Sequence, residues 1–233
     1  MKGSKRIKSL KEQIDTKKEY SIDEAIKLLK EKSSVKFTES LDCAVRLGVD
    51  PRHADQMVRG TVSLPHGTGK QVRVLVVTKG DMADAALKAG ADYAGFEDYL
   101  DKIKGGWADI DVIIATPDAM PELGKLGRVL GPKGLMPNPK SGTVTQDIEK
   151  AVKEVKAGKI EFRVDKTGIV HTSIGKLSFD EKQLSENAQA FLQTIIKLRP
   201  SSAKGQYIRS LYLSSTMGPG LQISKDEALA FGK

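Results

Sequence analysis

The stretch Pro65-His66-Gly67-Thr68-Gly69-Lys70-Gln71-Val72-Arg73-Val74-Leu75-Val76-Val77 separates two textures of chain. Before it, Leu41, Cys43, Val45, Leu47 and Val49 alternate with polar neighbours, the period of a strand with one face buried. Its own first six residues, with a proline and two glycines, read as a hinge or linker. After it the apolar runs are continuous, at residues 72–77 and 110–115, as in a parallel sheet covered by helices on both faces. Between and after these runs, Asp81 is expected to cap a helix through Leu87, Pro117 to open one near Met120, and Thr145 to cap one carrying Ile148, Ala151, Val152 and Val155. Beyond Gly158 the alternation returns at residues 159–164 and 169–174. A long helix boxed by Ser178 and Glu181 then turns Leu184, Ala188, Phe191, Ile195 and Leu198 inward, and residues 207–214 and 221–224 close the chain as strands. Upstream, Ile7, Leu10 and Ile14 mark a short helix, and Ser21 with Glu24 boxes a second.

Charge follows the same division. The 233 residues carry a net +8, which points to a polyanionic partner. Residues 68–158 hold 13 basic and 13 acidic side chains, while 1–67 hold 14 against 10 and 159–233 hold 11 against 7. All the net charge therefore lies on the two flanks. One domain built from both chain ends, 1–67 and 159–233, with an inserted α/β domain at 68–158, accounts for this split, and Gly67, Thr68, Gly69, Ala157 and Gly158 are the hinge residues. No apolar run approaches the roughly 18 residues of a membrane span, and the basic N-terminus has no signal-peptide pattern, so a cytoplasmic protein is expected. The lone Cys43 sits at a buried strand position and reads as structural.

Site chemistry of an enzyme is missing. The segment from His66 to Lys70 fails as a phosphate-binding Walker loop, because Leu64 stands where a glycine is needed and Gln71 where a hydroxyl is needed. No Gly-x-Gly-x-x-Gly follows residues 72–77, and His53, His66 and His171 lie in separate segments without a second ligand at metal spacing, so neither cofactor nor metal is expected. The stretch 127–143, Gly-Arg-Val-Leu-Gly-Pro-Lys-Gly-Leu-Met-Pro-Asn-Pro-Lys-Ser-Gly-Thr, bears unopposed bases on a backbone that its prolines keep out of helix and central strand. It belongs to the neutral block, however, and reads as a loop of fixed shape rather than the main phosphate grip. Three segments of the basic flanks are better placed. Lys36, Phe37, Thr38, Glu39 and Ser40 set an aromatic beside a cation and hydroxyls, although Phe37 reads equally well as core. Arg163, Lys166 and Thr167 flank a turn whose Asp165 and Gly168 need no ligand to explain them. Ser215, Thr216, Met217 and Gly218 form an irregular loop in which a bare glycine would let RNA approach the backbone, or else an ordinary strand connection.

At these residues the chain resembles the family of large ribosomal subunit protein one, the protein of the mobile lateral stalk beside the tRNA exit site. The resemblance is carried by the stretch 127–143, by Arg46-Leu-Gly-Val-Asp-Pro51, Arg59-Gly-Thr-Val62, Leu64-Pro-His-Gly-Thr-Gly-Lys70, Asp165-Lys-Thr-Gly168 and Ser215-Thr-Met-Gly-Pro-Gly220, and spans residues 17–223. It implies an α/β fold of two domains, a discontinuous α+β domain I and an inserted Rossmann-like three-layer domain II. It further implies binding to the stalk region of large-subunit rRNA, help in releasing deacylated tRNA from the exit site, repression of the protein's own operon mRNA, and a monomer outside the ribosome. The family's RNA-facing positions fall on Lys36, Phe37, Thr38 and Ser40 with Glu39 orienting, on Arg163, Lys166, Thr167 and His171, and on Thr216, Met217 and Gly218. A nucleotide-using enzyme working at the strand ends of 68–158 and a general DNA-binding protein are the alternative classes.

Overall fold

The computed structural model describes residues 5–15, 18–80 and 82–230. In chain order, helix α1 (Lys5–Gln13), strand β1 (Glu19–Tyr20), α2 (Ile22–Glu31), β2 (Ser40–Leu47) and β3 (Arg59–Ser63) come first. They are followed by β4 (Val74–Val77), α3 (Met82–Lys88), β5 (Tyr93–Gly95), α4 (Glu97–Lys104), β6 (Val112–Ala115), α5 (Met120–Lys125), α6 (Gly127–Leu130) and α7 (Ile148–Lys156). The last group is β7 (Lys159–Arg163), β8 (Ile169–Lys176), α8 (Glu181–Lys197), β9 (Ile208–Ser215), β10 (Gly220–Ile223) and α9 (Lys225–Ala230). Two compact units result, Met1–Lys70 with Ile160–Lys233, and Gln71–Lys159.

In the first unit a five-stranded sheet runs β1-β10-β9-β2-β8, antiparallel except for the short β1–β10 pair. The alternation in β2 does what it should: Leu41, Cys43, Val45 and Leu47 are buried in one core with α2 and α8, while Arg46, His171 and Tyr212 are exposed. Burial pushes the Cys43 thiol up, so it stays protonated and inert. Strands β3 and β7 pair as a separate ribbon. Mid-helix in α8, the fully buried Asn187 spends its amide on backbone. Its Nδ2 donates to Gly67 O at 2.9 Å and Ile174 O at 2.8 Å, and its Oδ1 accepts from His66 N at 3.1 Å. The glycine-bearing segment is thereby fastened as far as Gly67, which sits at φ 65°, a conformation open to glycine at little cost.

The second unit is a parallel three-stranded sheet, β5-β4-β6, whose central strand is buried along its whole length. Leu75 and Val77 face one apolar cluster with α4, α5 and α6, and Val74 and Val76 face another with α3 and α7. This is the arrangement that a continuous Val/Leu run requires.

Several local expectations change. α7 is capped by Asp147, whose Oδ1 accepts from Lys150 N at 3.3 Å, and not by Thr145, which instead holds the Asp147 N–H. α8 starts two residues later than a Ser178 cap would allow, because residues 176–179 close a turn. Asp180 is its cap, with Gln183 Oε1 accepting from the Asp180 N–H at 3.1 Å. At Ser21 only the forward half of the box forms, Glu24 N donating to Oγ at 3.2 Å. Asp81 lies outside the described residues. The stretch 127–143 is not devoid of helix: α6 occupies its first four residues, where no proline intervenes. Its far end is tied down by Asn138, Ser141 and Thr143, with Thr143 O accepting from Ala115 N at 2.9 Å beside β6. No helix among the described residues is long and apolar enough to cross a membrane.

Candidate nucleic-acid interface

Two of the three basic segments meet at one end of the large sheet. β2 begins at Ser40 and β9 ends at Ser215, paired neighbours, so the residues before the first strand and after the second emerge side by side. The junction is locked by Glu39, only 2 % exposed, which takes the inward position just ahead of the strand. Its Oε1 accepts from Met217 N at 2.7 Å and Ser215 Oγ at 3.1 Å, and its Oε2 accepts from Ser33 Oγ at 2.5 Å. Beside it, Thr216 Oγ1 accepts from Ser40 N at 2.9 Å and Thr216 N donates to Ser40 O at 3.1 Å, which prolongs the sheet pairing by a side chain. With their backbones held, Phe37 and Met217 turn outward, 54 % and 45 % exposed. Phe37 is thus not core. Apolar side chains of that size left in water on fixed backbone are what a stacking platform for unpaired bases requires.

Sequence reasoning missed three members of this cluster. Ser33 satisfies the second oxygen of the Glu39 carboxylate, Lys176 donates from Nζ to Ser40 Oγ at 2.7 Å, and Arg6 of α1 donates from Nη2 to Met217 O at 2.6 Å. Only pairing of β8 with β2 could have placed Lys176, and nothing local marks Arg6. Gly218 also has a packing role within the protein. A Cβ there would come within 2.4 Å of Ser215 Oγ, so the bare position accommodates the Glu39 cluster itself.

The second segment lies elsewhere. Arg46 pairs with Ile169 at one end of β2 and β8, and Ser40 with Lys176 at the other, so the turn at 165–168 is about 20 Å from Glu39 at ~3.3 Å per strand residue. Asp165 organises that turn, its Oδ1 accepting from Thr167 N and Ile169 N, both at 2.8 Å, with Gly168 at φ 81°. The Ile169 N–H, ahead of the Thr167 bonds, holds the Asp165 carboxyl below the usual carboxylate range. Lys166 and Thr167 point to solvent, Arg163 contacts Met57 Sδ at 3.3 Å, and His171 sits on the exposed sheet face 3.7 Å from Asp165 Oδ2. Among the described residues no group of three or more His, Cys, Asp or Glu side chains could hold a metal ion.

Comparison with known proteins gives this geometry a lineage. Residues 29–219, which contain every candidate RNA-contact residue above apart from Arg6, match the model of the "Ribosomal protein L1p/L10e family". The chain is 64 % identical to the large ribosomal subunit protein uL1 of Phocaeicola vulgatus, covering 95 % of this chain and 96 % of that one. It is 62 % identical to that of Bacteroides thetaiotaomicron over the same shares, and 56 % identical to that of Chlorobaculum tepidum over 98 % and 99 %. With a family match over most of its length and relatives of this similarity end to end, the chain belongs to the ribosomal protein L1p/L10e family.

Proposed function

We propose that the chain is a structural protein of the large ribosomal subunit whose main RNA contact is centred on Glu39, with Phe37 and Met217 meeting unstacked bases and Lys36 and Lys176 meeting phosphates. It is not an enzyme. The observation that carries the reading is a buried carboxylate, Glu39, that joins two loops 178 residues apart in sequence, one bearing an exposed aromatic and the other an exposed methionine. Thr38, Ser40 and Thr216 offer hydroxyls to riboses, and Arg163, Lys166, Thr167 and His171 form a secondary contact. The relatives' names support the large subunit as the destination. The family resemblance extends the proposal to the stalk region of the rRNA, to release of deacylated tRNA, to repression of the operon mRNA, and to a cytoplasmic monomer between assemblies. The links at Gly67, Thr68, Gly69 and at Ala157, Gly158 are proposed as hinges between an RNA-binding domain, 1–67 with 159–233, and the domain at 68–158.

The test is competition. The full chain is titrated with the stalk fragment of large-subunit rRNA against duplex DNA of equal length at one salt concentration. The RNA should win, and Phe37→Ala should weaken the RNA complex about tenfold, the loss of one stacked base at roughly 1–3 kcal/mol. Equal competition by DNA, or a Phe37→Ala protein that binds like the parent, would remove the reading.

A further inference from the structure

At the far end of β2 and β8 from Glu39 lie two adjoining clefts. One, about 800 Å³, is walled by Pro51, Met57 and Val164 with Arg163 at its side; the other, about 710 Å³, is walled by Gln56, Ser202, Lys204 and Arg209; Arg52 and Lys166 line both. Each volume falls in the ~300–1,000 Å³ range of small-ligand clefts. The first offers apolar surface, including the exposed Met57 side chain. The second offers charge. Arg52, Lys166, Lys204 and Arg209 have no ion-pair partner among the described residues and outnumber the two carboxylates in the walls, Asp50, whose Oδ1 accepts from Arg52 N at 3.0 Å, and Asp165, which holds its turn. Ser202 adds an independent sign, since its Oγ is buried in the wall of that cleft with no hydrogen-bond partner. Such a hydroxyl is costly to leave unpaired and would donate to an anionic oxygen.

The walls are rigid. Arg199 donates from Nη2 to Ala203 O and Gly205 O, both at 3.0 Å, fixing the loop that carries Ser202 and Lys204. Gly48 N donates to Tyr207 O at 2.6 Å, and a Cβ at Gly48 would lie 2.3 Å from Gln206 O, so the turn leading to Arg52 is pressed against the same loop.

We propose that this pair of clefts is a second RNA subsite that takes one nucleotide of a single strand, the base against Met57, Pro51 and Val164 and the phosphate among Arg52, Lys166, Lys204 and Arg209 with the Ser202 hydroxyl. It rests on the reading of the chain as an RNA-binding protein, and it adds to that reading a ligand and residues that the turn at 165–168 alone does not provide.

Amide and methyl NMR spectra of the full chain, titrated with tetrauridylate and separately with inorganic phosphate at matched ionic strength, test it. Tetrauridylate should shift the amides of Arg52, Lys166, Ser202 and Lys204 and the methyl of Met57; phosphate should shift the amides alone. The triple variant Arg52→Ala, Lys204→Ala, Arg209→Ala, changed only at exposed positions, should bind tetrauridylate at this site at least tenfold more weakly. It should also lower the slope of log affinity against log salt for the stalk rRNA fragment by up to about one, at roughly 0.7–0.9 for the one phosphate that is no longer neutralised. The lysine variants Arg52→Lys and Arg209→Lys should keep most of that slope. Silence of these resonances, the same response to both probes, or an unchanged triple variant would overturn the proposal. If the clefts take tetrauridylate but the parent ignores the stalk fragment, the functional reading falls and the subsite stands. If the parent binds the fragment with the slope of the triple variant, the subsite falls and the reading stands.

Discussion

Glu39 shows how one side chain can hold a surface that it never reaches. Its oxygens accept from Met217 N, Ser215 Oγ and Ser33 Oγ, and at 2 % exposed it is out of reach of any RNA, so its contribution is to fix where Phe37 and Met217 stand. Replacing it by alanine strands one buried donor, Ser215 Oγ, at about 1–3 kcal/mol, while the part-buried Met217 N and Ser33 Oγ can turn to water. We expect Glu39→Ala to cost about 2 kcal/mol, to lower the melting temperature by about 5 °C, and to weaken stalk RNA binding more than Phe37→Ala does. Glu39→Gln keeps an oxygen for the Met217 N–H and should melt within a degree or two of the parent, as calorimetry would show. An alanine variant with parental melting and affinity would strip Glu39 of this role. Gly218→Val belongs with these variants: because a Cβ there meets Ser215 Oγ, its effect on RNA would report packing of the cluster and not closeness of the RNA backbone. The sequence made Phe37 ambiguous because the strand alternation does not say where it starts. With Ser40 as the first strand residue and Glu39 turned inward, Phe37 falls outside.

At the scale of elements, strands were the legible part. The alternation in β2 and the unbroken run in β4 state one buried face and two, respectively, and both are so. Helix starts were less legible, because several residues near each start can cap and the chain's own turns decide which does. Ser178 lost to Asp180 for that reason, and Thr145 to Asp147. The turn between β7 and β8 carries a prediction of its own. Since native bonds, first that from Ile169 N, lower the Asp165 pKa, its ionised form stabilises the turn at all pH above the ordinary aspartate value of about 3.9. That stability is lost only as pH falls through the lower native value. An NMR acid titration should therefore find the Thr167 and Ile169 amides unchanged from pH 7 to about 4.5 and shifting below about 3.9, with the transition absent in Asp165→Asn. Loosening that begins above pH 5 would contradict this assignment.

Over the whole molecule, the unit made from both chain ends holds 25 basic against 17 acidic residues and the other unit 13 against 13, so long-range attraction of a polyanion belongs to the first. The expected outcome is a contrast in salt dependence. Lys36→Ala should flatten the slope of log affinity against log salt by up to about one, whereas Arg128→Ala with Lys133→Ala and Lys140→Ala should leave it within half a unit. A triple variant whose slope fell by two or more would restore the stretch 127–143 as a phosphate grip. Composition could assign the charge to the flanks, but no local pattern tells residue 39 to meet residue 217; that is written only in the order of strands, where β2 and β9 lie edge to edge. The Glu39 junction also has a direction in time. Synthesis delivers the acceptor first and two of its three donors, Ser215 and Met217, 176 and 178 residues later. Through that interval a nascent chain displays Lys36 and Phe37 without the partner loop that sets them, so the surface proposed to grip RNA is assembled in one step, when that loop is made.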